Sequence, residues 1–166
     1  MSLSDRRHFL ALACAAAFAS GCGFTPAYAP GGPAAGLAER IEIAAPGDLN
    51  AFVLVERLEE RLGRSQAPRF RLTYRIETDT LGLAITPENA VTRFHAQGRV
   101  SYEVTEIASG RRATVGAVQN FTAFSAAGTT VVTAASRDDA FERLMRILAD
   151  QIVSELVATA SGWADP

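Results

Sequence analysis

The side chain in the most specific chemical setting is Cys22, which directly follows Ala19-Ser20-Gly21 at the end of an apolar run from Phe9 to Ala19. A positive Arg6-Arg7-His8 segment, an apolar stretch and small residues form the three-part plan of an export signal, and the thiol sits where the new first residue would be. That placement suits lipid modification of the sulfur rather than nucleophilic catalysis. The apolar run is too short for a permanent span, which takes about twenty residues. The second chemical set is arginine. All sixteen basic residues are Arg, with no Lys, and Arg69, Arg71, Arg75, Arg93 and Arg99 alternate with apolar residues in two segments that read as strands. Planar guanidinium forks take phosphate and carboxylate groups bidentately. If the two strands are neighbours, these five meet on one face, either as a ligand or partner surface or in local pairs with Glu77, Glu103 or Glu106.

Cleavage after Gly21 removes Cys14 and His8, which leaves no disulfide, no cysteine-based metal site and His95 as the one histidine of the remaining chain. His95 lies among polar strand residues, without a nucleophile motif or a spacing such as H-E-x-x-H. Glu56, Glu59 and Glu60, with Asp138 and Asp139, fall at helical or capping positions. The chain is therefore expected to be no enzyme and to need neither metal nor cofactor. Its formal net charge of −2 becomes about −3 once one acid and two bases leave with the leader, so the basic footprint of a nucleic-acid binder is absent.

The elements that position these residues can be read in order. Residues 1–21 form the cleaved leader, and 22–37, dense in Pro, Gly and Ala, a lipidated flexible tether. Arg6-Arg7-His8-Phe9-Leu10 also resembles a twin-arginine signal, so the export route stays open. A single domain over 38–162 follows, then a tail over 163–166. It begins with a short strand from Glu39 to Ala45. Asp48 as N-cap and Gly63 as C′ residue bound a helix with Phe52, Val55, Leu58 and Leu62 as its stripe. Phe70, Leu72, Tyr74 and Ile76 alternate with Arg69, Arg71, Thr73 and Arg75; the phase then shifts to Leu81, Leu83 and Ile85, which predicts a break at Thr78-Asp79-Thr80. After a turn at Pro87-Glu88-Asn89, a strand from Val91 to about Ile107 points Phe94, Ala96, Val100, Tyr102 and Val104 inward and Arg93, His95, Gln97 and Arg99 outward. Ser109-Gly110 turns into a last strand, Arg112 to Phe124, with Ala113, Val115, Ala117 and Phe121 inward and Thr114, Asn120 and Thr122 outward. A closing helix capped by Ser136 carries Phe141, Leu144, Met145, Leu148, Ile152 and Leu156 on one stripe. The predicted fold is α+β, a two-layer sandwich with two helices on one face of a mostly antiparallel four-stranded sheet, in the order β-α-β-β-β-α.

Ala19-Ser20-Gly21-Cys22 resembles a lipobox, departing from it at Ala19 where Leu is usual. Cys22-Gly23-Phe24-x-Pro26-x-Tyr28, followed by this order of elements, resembles the LPS-assembly lipoprotein family LptE in its alphaproteobacterial form. The resemblance implies a non-catalytic outer-membrane lipoprotein, anchored through lipid on Cys22. Its domain would partner and plug the LptD β-barrel, at the periplasmic side or in the lumen, and contact lipopolysaccharide. An auxiliary lipoprotein of an ABC-type phospholipid transport system would share a lipobox and a small α+β domain, and is the rival reading.

Overall fold

The structure, a computed structural model, describes residue 32 and residues 37–85, 91–126 and 130–164. The leader, Cys22, most of the tether and the turn at Pro87-Glu88-Asn89 lie outside the described residues. β1 (Ile41–Ile43) is followed by α1 (Leu49–Leu62), the strands β2 (Phe70–Ile85), β3 (Val91–Glu106) and β4 (Arg112–Ser125), then α2 (Thr130–Thr159) and a 3₁₀ turn, Ala160–Gly162. The sheet order is β1-β2-β3-β4. β1 runs parallel to β2, and the other two pairings are antiparallel. This is the predicted α+β arrangement. Among the described residues no helix is long and apolar enough to cross a membrane.

The caps of α1 stand where the sequence put them. Asp48 Oδ1 accepts from the Ala51 N–H at 2.8 Å, satisfying one of the donors a helix start leaves open. Gly63, at φ 78°, donates its N–H to the Glu59 carbonyl, in the left-handed region that glycine adopts cheaply. The buried stripe is Ala51, Leu54, Val55, Leu58 and Leu62, and Phe52 is 56% exposed rather than part of it. At 100° per residue Phe52 lies about 100° from the stripe's centre. Asp48→Ala should cost about 1 kcal/mol in chemical denaturation while Asp48→Asn costs little; equal losses would show that the cap bond is not the stabilising contact.

α1 and α2 cover one sheet face, and the core is continuous between them. Phe70, Leu72, Ala96, Val100, Tyr102 and Val104 of the sheet are buried with Leu144, Met145, Leu148, Ile152 and Leu156 of α2. Arg57 of α1 reaches both carboxylate oxygens of Asp150 on α2 at 3.0 and 3.1 Å, tying the helices together.

The structure corrects several expectations. β2 does not break at Thr78-Asp79-Thr80: these residues pair in register with Gly98, Gln97 and Ala96, and the irregularity comes later, around Ala84. The apolar phase shift marks a change of face, so Leu81 and Leu83 point away from the core, 48% and 46% exposed. On β4 the inward set is Val118 and Phe124, whereas Val115 and Phe121 are 61% and 55% exposed. The cause is a register shift at the start of β4, where Thr105 pairs with Arg112 and Val104 with Thr114. Skipping Ala113 in this way flips the parity of the strand from Thr114 onward. Thr122, expected outside, donates from Oγ1 to the Ala140 carbonyl at 2.8 Å. α2 begins at Thr130, so Ser136 lies within it rather than capping it; Ala134 and Ala135 are strong helix formers that carry the helix across. The core also reaches past both expected domain limits, because Leu37, Trp163 and Ala164 are buried in it.

Candidate functional site

With both helices on one face, the other face of β2, β3 and β4 is open along about 50 Å, the length of a sixteen-residue strand. Strand parity places every second residue on it. From β2 come Arg71, Thr73, Arg75, Glu77, Asp79 and Leu81, and opposite them Thr105, Glu103, Ser101, Arg99, Gln97 and His95 of β3.

Of the five predicted arginines, Arg71, Arg75, Arg93 and Arg99 fall on this side of the sheet by strand parity, and the five do not form one cluster. Arg69, just ahead of β2, meets Glu106 at 3.2 Å, and its guanidinium stands 5.1 Å from the centre of the Phe70 ring. Arg71 is paired with Glu42 of β1 at 2.9 Å. Arg99 stands across from Glu77 in the register and reaches Gln119 Oε1 at 3.4 Å. Arg75 is opposite Ser101, diagonal to Arg99, and Arg93 is opposite Ala84 near the far end of the hairpin. Among the described residues neither Arg75 nor Arg93 forms an ion pair. The row of Arg71 and that of Arg93 are about 40 Å apart at strand rise. Among the described residues, the local-pairing alternative therefore accounts for Arg69 and Arg71, while Arg75, Arg99 and Arg93 have no carboxylate within ion-pair distance.

Glu106 organises the near end of the sheet. Ser109 Oγ donates to it at 2.7 Å, and Arg69 and Arg111 approach at 3.2 and 3.6 Å. The Ser109 hydroxyl first, and Arg69 second, hold its carboxyl below the usual range. A depressed carboxyl contributes stability above its unfolded value and loses it as the pH falls through the folded value. On acidification from about pH 7 to about pH 3, the urea midpoint should therefore drop further in the wild type than in Glu106→Gln. Identical pH profiles would exclude Glu106 from the acid response.

Sequence reading missed the far end of this face. Leu81, Leu83 and Phe121 are exposed there, and the His95 ring stacks on Phe121 with centroids 4.5 Å apart and planes at 26°. A shallow depression of about 580 Å³, lined in part by Glu77, Asp79, Arg99 and Phe121, brings the Phe121 ring and the Arg99 guanidinium to one hollow. The signal was present in the sequence, because Leu81 and Leu83 share the parity of Arg71 and Arg75. The face thus has two zones, one of guanidinium and carboxylate groups and one of apolar and aromatic side chains. Such a surface suits an amphiphile or an amphipathic protein wall. Among the described residues no three His, Cys, Asp or Glu side chains are placed to share a metal ion.

No protein-family model and no curated protein matches the sequence. Solved structures do resemble it. One is a candidate lipoprotein from Caulobacter crescentus CB15, with TM-score 0.65 and 18% identity over 78% of this chain and 96% of that one. Another is the rare lipoprotein B from Shewanella oneidensis, with TM-score 0.56 and 15% identity over 74% of this chain and 96% of that one. A third is an uncharacterized lipoprotein B from Nitrosomonas europaea, with TM-score 0.57 and 15% identity over 75% of this chain and 85% of that one. At these identities the likeness is one of fold, and it spans most of each chain.

Proposed function

We propose that this protein is an outer-membrane lipoprotein, acylated on Cys22, whose domain partners and plugs an LptD-type β-barrel during lipopolysaccharide assembly without catalysing a reaction. The observation that carries the proposal is the two-zone open face. Arg75, Arg99 and Arg93 offer guanidinium forks to phosphate or carboxylate groups, while Leu81, Leu83 and Phe121 offer apolar surface to acyl chains. Lipopolysaccharide joins both chemistries in one molecule. The wall of a large barrel lumen, polar and carboxylate-bearing, would engage the same arginines. Large barrels have lumens that hold a plug. The lipoprotein B fold and the LptE-like Cys22-Gly23-Phe24 segment support the same assignment.

The test is a mild-detergent pull-down of tagged full-length lipoprotein from outer membranes, with mass spectrometry of what accompanies it. A large β-barrel in near-equal amount is the expected result. Inner-membrane transporter components in its place would replace this reading with the auxiliary phospholipid-transport one. On the same reading, Arg75→Ala with Arg99→Ala should weaken retention of lipopolysaccharide by about tenfold or more, the loss of one or two charge-assisted contacts. Arg71→Ala, whose guanidinium is spent on Glu42, should leave retention unchanged. Equal effects from both would show that general charge, and not this site, binds the ligand.

A further inference from the structure

At one end of the domain the helix layer stops short of the sheet. α1 has fourteen residues and α2 thirty, and they run parallel, with Glu56 and Arg57 of α1 beside Arg146 and Asp150 of α2. The start of α1 therefore falls level with Asp138 and Phe141, with which it lines one groove. The first two turns of α2, from Thr130, run on with no helix beside them among the described residues. β2 explains the step, because its side chains on the helix side shrink from Phe70, Leu72, Tyr74 and Ile76 to Thr78 and Thr80. That end of the strand offers α1 no large apolar side chains to cover.

The groove left at the step holds about 900 Å³. Leu49 and Phe52, i and i+3 on α1, stand in it 85% and 56% exposed, with the buried Phe141 on the α2 side. Val131, 78% exposed, lies one turn before Ala135 and carries the apolar wall along α2. A contiguous exposed apolar patch marks an interaction site. The rim is acidic: Asp48, Asp138, Asp139 and Glu142 face one described base, Arg137, whose guanidinium stands 5.6 Å from the centre of the Phe141 ring. Asp139 and Glu142 are committed to Arg143 and Arg146. Asp48 uses Oδ1 alone, on the Ala51 N–H, and Asp138 forms no ion pair among the described residues. Two carboxylates at the mouth of an apolar groove are thus open to a cation.

We infer that this groove takes a basic amphipathic helix of about two turns from a protein partner, laid in line with α1 along the uncovered start of α2. Its large apolar side chains cover Leu49, Phe52 and Val131, and its Lys or Arg side chains meet Asp138 and Asp48. The same carboxylates select against an anionic lipid surface, whose phosphates they repel. The helix fills a step in the layer and does not thicken the two-layer domain, so a domain enclosed in a barrel can still take it. The groove lies across the sheet from the open face and uses none of that face's arginines or apolar residues. The inference therefore stands whether or not the open face binds lipopolysaccharide.

The test uses the full-length lipoprotein in a non-ionic detergent and a dye-labelled synthetic peptide of Lys and Leu, with Leu at helical spacing, followed by fluorescence anisotropy. Saturable binding of one peptide per chain is expected, and none of the same peptide with Glu for Lys. Asp138→Lys and Phe52→Gln should each weaken binding by about tenfold or more. Glu60→Lys, the same charge reversal near the other end of α1, where Glu60 is exposed beside Arg57, should leave it unchanged. Equal losses from Asp138→Lys and Glu60→Lys, indifference to Phe52→Gln, or binding of the acidic peptide would overturn the proposal. So would a Phe52→Trp chain in vesicles whose added fluorescence is quenched by brominated acyl chains, which would set the groove against lipid.

Discussion

Gly116→Ala should destabilise the domain by about 2–4 kcal/mol, a far larger effect than one methyl group on a strand ordinarily has. The residue has no unusual backbone angle, so the argument is one of space alone. A Cβ at Gly116 would stand 2.5 Å from Tyr102 Cζ and 2.8 Å from Cε1, closer than atoms can pack. Tyr102 has nowhere cheap to go, being 4% exposed and donating its hydroxyl to Glu155 Oε2 at 2.6 Å. Burial, and then the Glu155 carboxylate, keep the phenol protonated well above its usual range. Swinging the ring away would break that bond and leave the cavity it fills. In a Tyr102→Ala background the same glycine replacement should cost almost nothing, because the obstacle is gone. Additive losses in the two backgrounds, read from urea midpoints, would refute the steric account; so would a Gly116→Ala loss below about 0.5 kcal/mol.

This glycine also shows where sequence reading stops. The bounds of α1 were legible because capping is local, with Asp48 and Gly63 acting within a few residues of themselves. The faces of β2 and β3 were legible because alternation is a short-range pattern: Arg71, Arg75, Arg93 and Arg99 fall on the outer side as their parity required. The phase of β4 depends on its pairing with β3, where skipping Ala113 reverses the reading from Thr114 onward. No local pattern encodes that shift. Leu81 and Leu83 were misread for a different reason, since the shift of apolar phase was read as a break in the strand when it marks a change of face on a continuous one. Burial of apolar residues is a one-way rule, and folded surfaces keep much apolar area. The candidate site was therefore half visible, in its arginines but not in the apolar end beside them. The pairing that commits Arg71 was also hidden, because Glu42 is twenty-nine residues away on a strand that runs parallel.

Trp163→Ala should cost about 3–5 kcal/mol, although the residue stands in the segment that composition marks as a tail. Its side chain is buried, the ring meeting Phe70 edge-on with centroids 5.2 Å apart and planes at 85°, and Nε1 donating to Thr159 Oγ1 at 3.1 Å. Phe70 is fully buried, so removing the indole opens a cavity against a ring that cannot reach solvent without moving β2. The edge-on aromatic contact adds about 0.5–1.5 kcal/mol beyond the area buried. Trp163→Phe should restore most of the loss, falling short by the indole bond and the smaller ring. The same pole holds the chain's entry into the domain: Leu37 belongs to this core, and the Glu39 N–H donates to the Leu62 carbonyl at 2.9 Å. Loosening Trp163 should therefore expose the segment from Leu37 to Arg40 to proteases before the rest of the domain, since local opening follows the weakest packed unit. Limited proteolysis with mass readout separates the cases. First cuts in that segment for Trp163→Ala, and not for Trp163→Phe, would place the C-terminal indole as the lock on the end from which the chain runs back towards Cys22; first cuts in α2 or β4 instead would show that it stabilises the domain without guarding that end.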